Sequence, residues 1–251
     1  MPDSHASVSF IRGDMGDGKT NTLVGFIVDR YFQNLYAMRS PRGKEYPCRP
    51  LGTDRHRVIL MEQGQRERVV YLPDNWVPLS AMKVFVNFHL YGNILHVYCT
   101  VADMLRWLNN KTIKDGILGI DESYIEADAR QGSKAVNILL SQFNFQLRKR
   151  HIHLYLLTQH NRLIDWRYKY IRTEEITCRY DEETRLITLI IKDMRKNKEK
   201  RIQYDGSQYW PYFDTDEIPD IPQSTIDKVL EKIEGKKPKL PKGMKGLEVS
   251  G

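Results

Sequence analysis

The hydrophobic positions of this chain fall into two kinds of stretch: short runs suited to strands, and longer stretches with helical spacing. Ser7 to Ile11 is a short apolar-leaning run that reads as a strand. Asn21 to Phe32 follows soon after, with Leu23, Phe26, Ile27 and Tyr31 at the spacing of one helical face. Apolar runs at 83–88, 94–99, 116–120 and 152–157 read as further strands, several of them buried. Between them, 102–108 reads as a helix packing through Met104, Leu105 and Leu108. The stretch 132–149 reads as a long helix with Val136, Leu139, Leu140, Phe143 and Leu147 near one face. Strands alternating with helices in this way predict an α/β fold, with a mainly parallel central sheet flanked by helices.

The C-terminal third changes pattern. Residues 175–180 and 186–192 alternate around Asp181-Glu182-Glu183-Thr184, which predicts an antiparallel hairpin. The Lys- and Arg-rich run 194–201 is either a basic turn facing DNA or a solvated loop, and the aromatic stretch Tyr209 to Phe213 is expected to pack on the sheet edge. A last amphipathic helix starts at Pro222, with Ile226, Val229, Leu230 and Ile233 on one stripe, and 236–251 is a basic, proline-containing tail expected to be disordered. Residues 37–74 read as a long irregular, basic insertion. Pro41, Gly43, Pro47 and Pro50 exclude a continuous helix there, and 58–61 and 69–72 are candidate strands of a hairpin. The organisation expected is a domain over 1–215 carrying this insertion, then a helix within 216–235, then the tail.

Composition narrows the class. The chain has 251 residues, 28% charged and 41% hydrophobic, which fits a soluble globular protein. No apolar run approaches a membrane span, and the first residues lack the basic and apolar regions of a signal peptide. Cys48, Cys99 and Cys178 are far apart and odd in number, which argues for a reducing, cytoplasmic compartment and against a disulfide framework or a zinc site. His151 and His153 alternate in a strand and read as structural. A net charge of +7 is compatible with a polyanionic partner, nucleic acid first.

Candidate chemistry is concentrated in residues 13–20. Gly13-Asp14-Met15-Gly16-Asp17-Gly18-Lys19-Thr20 fits the phosphate-binding pattern G-x-x-x-x-G-K-[ST], placed between a strand and a helix as that pattern requires. The glycines let the backbone curl so that its N–H groups converge on one anion, and the helix start that follows, from Asn21, adds its own free N–H groups. In that arrangement Lys19 reaches the β- and γ-phosphates of ATP and the Thr20 hydroxyl holds Mg²⁺. Asp14 and Asp17 put two carboxylates into the loop and are expected to weaken nucleotide affinity. About a hundred residues on, the apolar strand 116–120 ends in Asp121-Glu122. Asp121 is placed to hold Mg²⁺ opposite Thr20, and Glu122 to polarise the attacking water. The strand 152–157 is closed by Thr158-Gln159, at a position where loops at the carboxyl ends of strands form the site. Gln159 there is placed to hold the water or sense the γ-phosphate.

The order of these motifs resembles the FtsK/HerA superfamily of P-loop motor ATPases, especially its viral genome-packaging ATPases and, second, its zonular-occludens-toxin-like assembly ATPases. Arg148-Lys149-Arg150 before the strand and Thr158-Gln159 after it carry the likeness most specifically, and Val84-Phe85-Val86-Asn87 adds to it. The resemblance covers roughly 7–215; Asp17, where a small residue is usual, and the basic stretch 39–68 depart from it. It implies a RecA-like ATPase that forms a homo-oligomeric ring, commonly a hexamer, and moves double-stranded DNA without regard to sequence. It also implies that Arg148, with Arg150 second, is an arginine finger acting on the neighbouring protomer's nucleotide, and that Gln159 is the sensor. A viral relative of this kind works in the host cytoplasm beside a virion or portal component. The alternatives are an assembly or export ATPase acting at a membrane, and a nucleotide-dependent binding protein with little turnover.

Overall fold

The structure is a computed structural model that describes residues 7–51, 54–61, 67–73, 75–100, 103, 106–107, 110, 113–121, 146–147, 149–159 and 172–214. The chain divides into Met1–Ile218 and Pro219–Gly251, and the second unit lies outside the described residues, with the expected last helix and tail. Most of the expected helices 102–108 and 132–149 lies outside them too.

The strands are β1 (Val8–Arg12), β2 (Leu35–Arg39), β3 (Glu45–Leu51), β4 (Asp54–Met61), β5 (Glu67–Tyr71), β6 (Val77–Ser80), β7 (Lys83–Val86), β8 (His96–Tyr98), β9 (Gly116–Ile120), β10 (Ile152–Thr158), β11 (Glu174–Asp181), β12 (Leu186–Asp193) and β13 (Lys198–Asp205). One helix, α1 (Lys19–Gln33), follows β1. An eight-stranded sheet runs β13-β12-β11-β1-β10-β9-β7-β8. It is parallel from β11 to β8 and antiparallel through β12 and β13. The α/β architecture and the C-terminal hairpin are therefore as the sequence predicts.

Both faces of the parallel part are covered, which is why its central strands read as unbroken apolar runs. Ile11, Val84, Val86, Ile117, Tyr155 and Leu157 point to the face that α1 covers with Leu23, Val24, Ile27 and Val28. Val8, Phe10, Phe85, Leu118, Ile120, Leu154 and Leu156 point to the other face, against Trp107, Ile113 and Leu147. Gly119 sits under α1: a Cβ there would lie 3.0 Å from Val86 and 3.2 Å from Ile27, so the missing side chain is what lets the helix approach.

Three expectations need correction. The described part of 37–74 is mostly strand and not irregular. Its strands belong to a second, five-stranded antiparallel sheet, β5-β4-β3-β2-β6, reaching from Leu35 to Ser80. The expected hairpin is its β4–β5 pair. The prolines hid β3. It pairs with β2 over Glu45–Pro47 and with β4 over Cys48–Leu51, so its two prolines fall in segments with one partner each. Second, 194–201 is neither a loop nor only a turn, because Lys198 onward is β13, an edge strand whose lysines suit an unpaired edge. Third, the aromatic stretch Tyr209–Phe213 packs on the sheet edge only in part, where the Tyr209 ring lies 5.7 Å from that of Tyr204 in β13. Residues Gly206–Tyr212 form a 3-10 helix, and Tyr209 lies against α1 at Gly25.

The far end of α1 is tied to the sheet by a buried polar cluster. The Ser7 hydroxyl lies 2.9 Å from His153 Nδ1, the Arg30 guanidinium lies 3.4 Å from His153 Nε2, and Arg30 Nε donates to the Tyr155 hydroxyl at 2.7 Å. Burial, reinforced by the Arg30 charge and by His151, pushes the His153 imidazole down to about 4. The unfolded chain takes up this proton near pH 6.5 and the folded chain does not, so stability is complete above that pH and falls as pH drops from about 6.5 to about 4, by about 3 kcal/mol in all. Urea denaturation at steps of pH should show this loss, and His153→Gln should flatten it.

Candidate functional site

Residues 13–18 form the connection from β1 to α1, at the carboxyl edge of the parallel strands. Gly16 and Gly18 hold φ of 85° and 78°, in the left-handed region where glycine carries no steric penalty. Gly13 has no room for a side chain, since a Cβ would sit 2.9 Å from both Asp17 Cβ and the Cys178 carbonyl oxygen. Helix α1 begins on Gly18 with no side-chain cap and no acid in its first turn. Its first N–H groups and the positive end of its dipole are thus presented to the loop.

Inside the loop, Lys19 is buried and its Nζ donates to the Asp14 carbonyl at 2.7 Å. The Asp17 carboxylate folds back and accepts from the Asp14 N–H at 2.6 Å, while the Asp17 N–H donates to the Asp14 carbonyl. Asp17 thus closes the loop as a local staple. Asp14 and Met15 are exposed.

The second acidic element reaches the same place. The Thr20 hydroxyl donates to Asp121 Oδ2 at 2.7 Å, across 101 residues of chain. Asn87, at the end of β7, fixes Asp121 from behind. Its Nδ2 donates to the Asp121 carbonyl at 2.9 Å and its Oδ1 accepts the Asp121 N–H at 2.8 Å. Asn87 is 7% exposed. In the sequence it stands out only as part of a family-like stretch, although a polar residue ending an apolar strand at the site edge is a signal in its own right. Thr20 and Asp121 are hard oxygen donors side by side, a set that fits Mg²⁺ with water completing the shell. Gln159 follows Thr158, the register partner of Arg12, and so lies level with Gly13, half-buried.

The structure separates one predicted residue from the rest. Arg150 precedes β10 at the opposite, amino edge, where its carbonyl accepts the Asp115 N–H and its guanidinium donates to Gln146. The seven residues of β10 span roughly 20 Å, so Arg150 does not reach the loop of its own chain. Glu122 and Arg148 lie outside the described residues.

A brace not foreseen from the sequence holds the first turns of α1 to the C-terminal strands. The Thr22 hydroxyl donates to the Gly18 carbonyl and lies within 3.3 Å of Cys178 Sγ and 3.0 Å of the Tyr204 hydroxyl. Asn21, expected to take part in nucleotide binding, spends its side-chain amide on the Gly206 carbonyl and the Tyr204 hydroxyl. Burial raises both the Tyr204 hydroxyl and the Cys178 thiol, the latter to about 11, so both stay neutral. Tyr209 donates to Asp29, and a Cβ on Gly25 would lie 2.8 Å from its ring. Gly25→Ala should therefore lower stability by about 1–2 kcal/mol, because the clash outweighs a helix-propensity gain of about 1 kcal/mol. A thermal melt measures the net effect.

A parallel sheet with a glycine-rich loop between β1 and α1, and on its Thr20 an acid from the end of β9, the next strand but one across β10, defines a P-loop NTPase fold. Comparison with solved structures finds likenesses to two kinds of protein. The chain is similar to the N-terminal domain of zonular occludens toxin from Neisseria meningitidis, with a TM-score of 0.52 and 17% identity over 84% of this chain and 100% of that one. It is also similar, with a TM-score of 0.46 and 11% identity over 79% and 97%, to the genome packaging NTPase B204 of Sulfolobus turreted icosahedral virus 2 in complex with ATP-gammaS. No protein-family model matches the chain, and no curated protein does. Among the described residues no helix is long and apolar enough to cross a membrane.

Proposed function

We propose that this chain is an ATP-hydrolysing motor that moves DNA, in the manner of a viral genome-packaging ATPase. The observation that carries the nucleotide site is the Thr20–Asp121 hydrogen bond, which joins two sequence-distant motifs at the edge where the loop lies. The loop amides and Lys19 bind the β- and γ-phosphates, and Asn87 positions Asp121. Glu122 draws the proton from the attacking water and Gln159 orients that water. Thr20 and Asp121 would hold Mg²⁺, which when bound would supply positive charge at the phosphates.

The location of Arg150 at the amino edge supports a role only between protomers. In a homo-oligomeric ring, Arg148 or Arg150 of one protomer meets the nucleotide of the next and offsets charge on the transferred phosphoryl group. The DNA reading rests on the order of motifs and on the net charge of +7. Its setting is the host cytoplasm, beside a virion or portal component.

ATP turnover measured with and without duplex DNA across a range of salt tests the reading, with particle size from light scattering on the same sample. The expected result is turnover stimulated by DNA, stimulation that fades with salt, and a multimeric particle. Turnover indifferent to DNA at every salt would remove the motor reading and favour the assembly-ATPase alternative. No turnover at all would leave a nucleotide-dependent binding protein.

A further inference from the structure

The five-stranded sheet inserted between α1 and β7 has no part in the site above. Its inner face is accounted for: Met38, Cys48 and Val58 belong to the core beneath α1, with Leu60, Val70 and Leu72 packed against it. Its outer face is set by register. Arg49 stands opposite Ile59, Ile59 opposite Val69, and Arg57 opposite Tyr71. On this face Tyr71 is 68% exposed and Val69 46%. The Arg57 guanidinium lies over the Tyr71 ring, 5.9 Å from its centroid. Among the described residues two acids fall on this face by register: Glu45, paired with Arg39 at 2.8 Å, and Glu67, at the start of β5 two residues before Val69.

A tyrosine ring and a valine, two residues apart on one strand, stand in water here, with arginines from the next two strands on the same face. Strands spaced about 4.8 Å apart put the ring and the guanidiniums of Arg57 and Arg49 within the span of a short piece of polymer backbone. An aromatic ring accepts any unpaired base on its face, a guanidinium plane extends that platform, and arginine takes phosphate by paired hydrogen bonds. A duplex offers no unpaired base to stack.

We propose that the outer face of the inserted sheet binds single-stranded nucleic acid, with a base stacked on Tyr71 and backbone phosphates on Arg57 and Arg49. This surface does not include the nucleotide loop, and the proposal stands or falls apart from ATP hydrolysis.

Fluorescence anisotropy of a labelled oligothymidylate, titrated with the full chain in the absence of nucleotide, is the test. Tyr71→Ala should weaken binding roughly five- to a hundredfold, while Tyr71→Phe keeps it, since the stacking face is retained. Arg49→Ala with Arg57→Ala should weaken binding and flatten its salt dependence by about 0.7 in log–log slope for each phosphate no longer neutralised. Lys19→Ala should bind the strand like the wild type, and Tyr71→Ala should keep wild-type ATP turnover. Absence of binding at low salt overturns the proposal. So does an affinity that Tyr71→Ala leaves unchanged. Loss of strand binding in Lys19→Ala overturns it too, by placing the strand at the nucleotide loop.

Discussion

Lys19→Ala is expected to lower ATP turnover roughly a hundred- to a thousandfold, the range found when one preorganised donor to a developing charge is removed. The ammonium is buried against the loop backbone and meets Asp14 through its carbonyl, so its removal takes away charge at the phosphates and little else. Circular dichroism and the melting temperature should stay near wild type. Lys19→Arg should not restore turnover, because a planar guanidinium does not fit where a compact ammonium sits among backbone atoms. Turnover that survives Lys19→Ala would mean that the hydrolysis comes from a different site.

Asn87→Ala is expected to act on both stability and turnover. It deletes two hydrogen bonds at a buried position and leaves the Asp121 N–H and carbonyl without those partners, a loss of about 2–3 kcal/mol. It also frees the turn that sets Asp121 against Thr20, and a displacement of about 1 Å at a reacting centre can cost on the order of a hundredfold in rate. Asn87→Asp should be worse than Asn87→Ala. An ionised carboxylate can accept the Asp121 N–H, but it sets a second acceptor against the Asp121 carbonyl. The signature that separates positioning from simple destabilisation is the Mg²⁺ concentration for half-maximal turnover. It should rise in Asn87→Ala even at a temperature where the variant is fully folded.

The parts of this molecule that were legible in the sequence are those fixed by local chemistry. Glycines at 13, 16 and 18 before Lys19 imply a curled backbone whatever surrounds them, and the apolar runs at 116–120 and 152–157 imply strands buried on both faces. The parts that were not legible depend on partners far along the chain. β3 carries two prolines, and it forms because each half of it has a neighbour on one side. β13 is too polar to read as a strand, and its place comes from pairing with β12 along its whole length. The partners of the Asn21 side chain, Gly206 and Tyr204, lie more than 180 residues away. Arg150 sits close in sequence to β10, which Gln159 follows, yet a strand separates its two ends by its full length. Adjacent motifs in the sequence therefore face opposite edges of the sheet.

Direct binding of ATP bears most closely on the account, because every role given to Lys19, Thr20 and Asp121 assumes it. Isothermal titration of the chain with ATP in the presence of Mg²⁺ should show saturable binding that weakens when EDTA removes the metal and disappears in Lys19→Ala. A titration without heat at several temperatures, or an affinity that is the same in Lys19→Ala and without Mg²⁺, would contradict it.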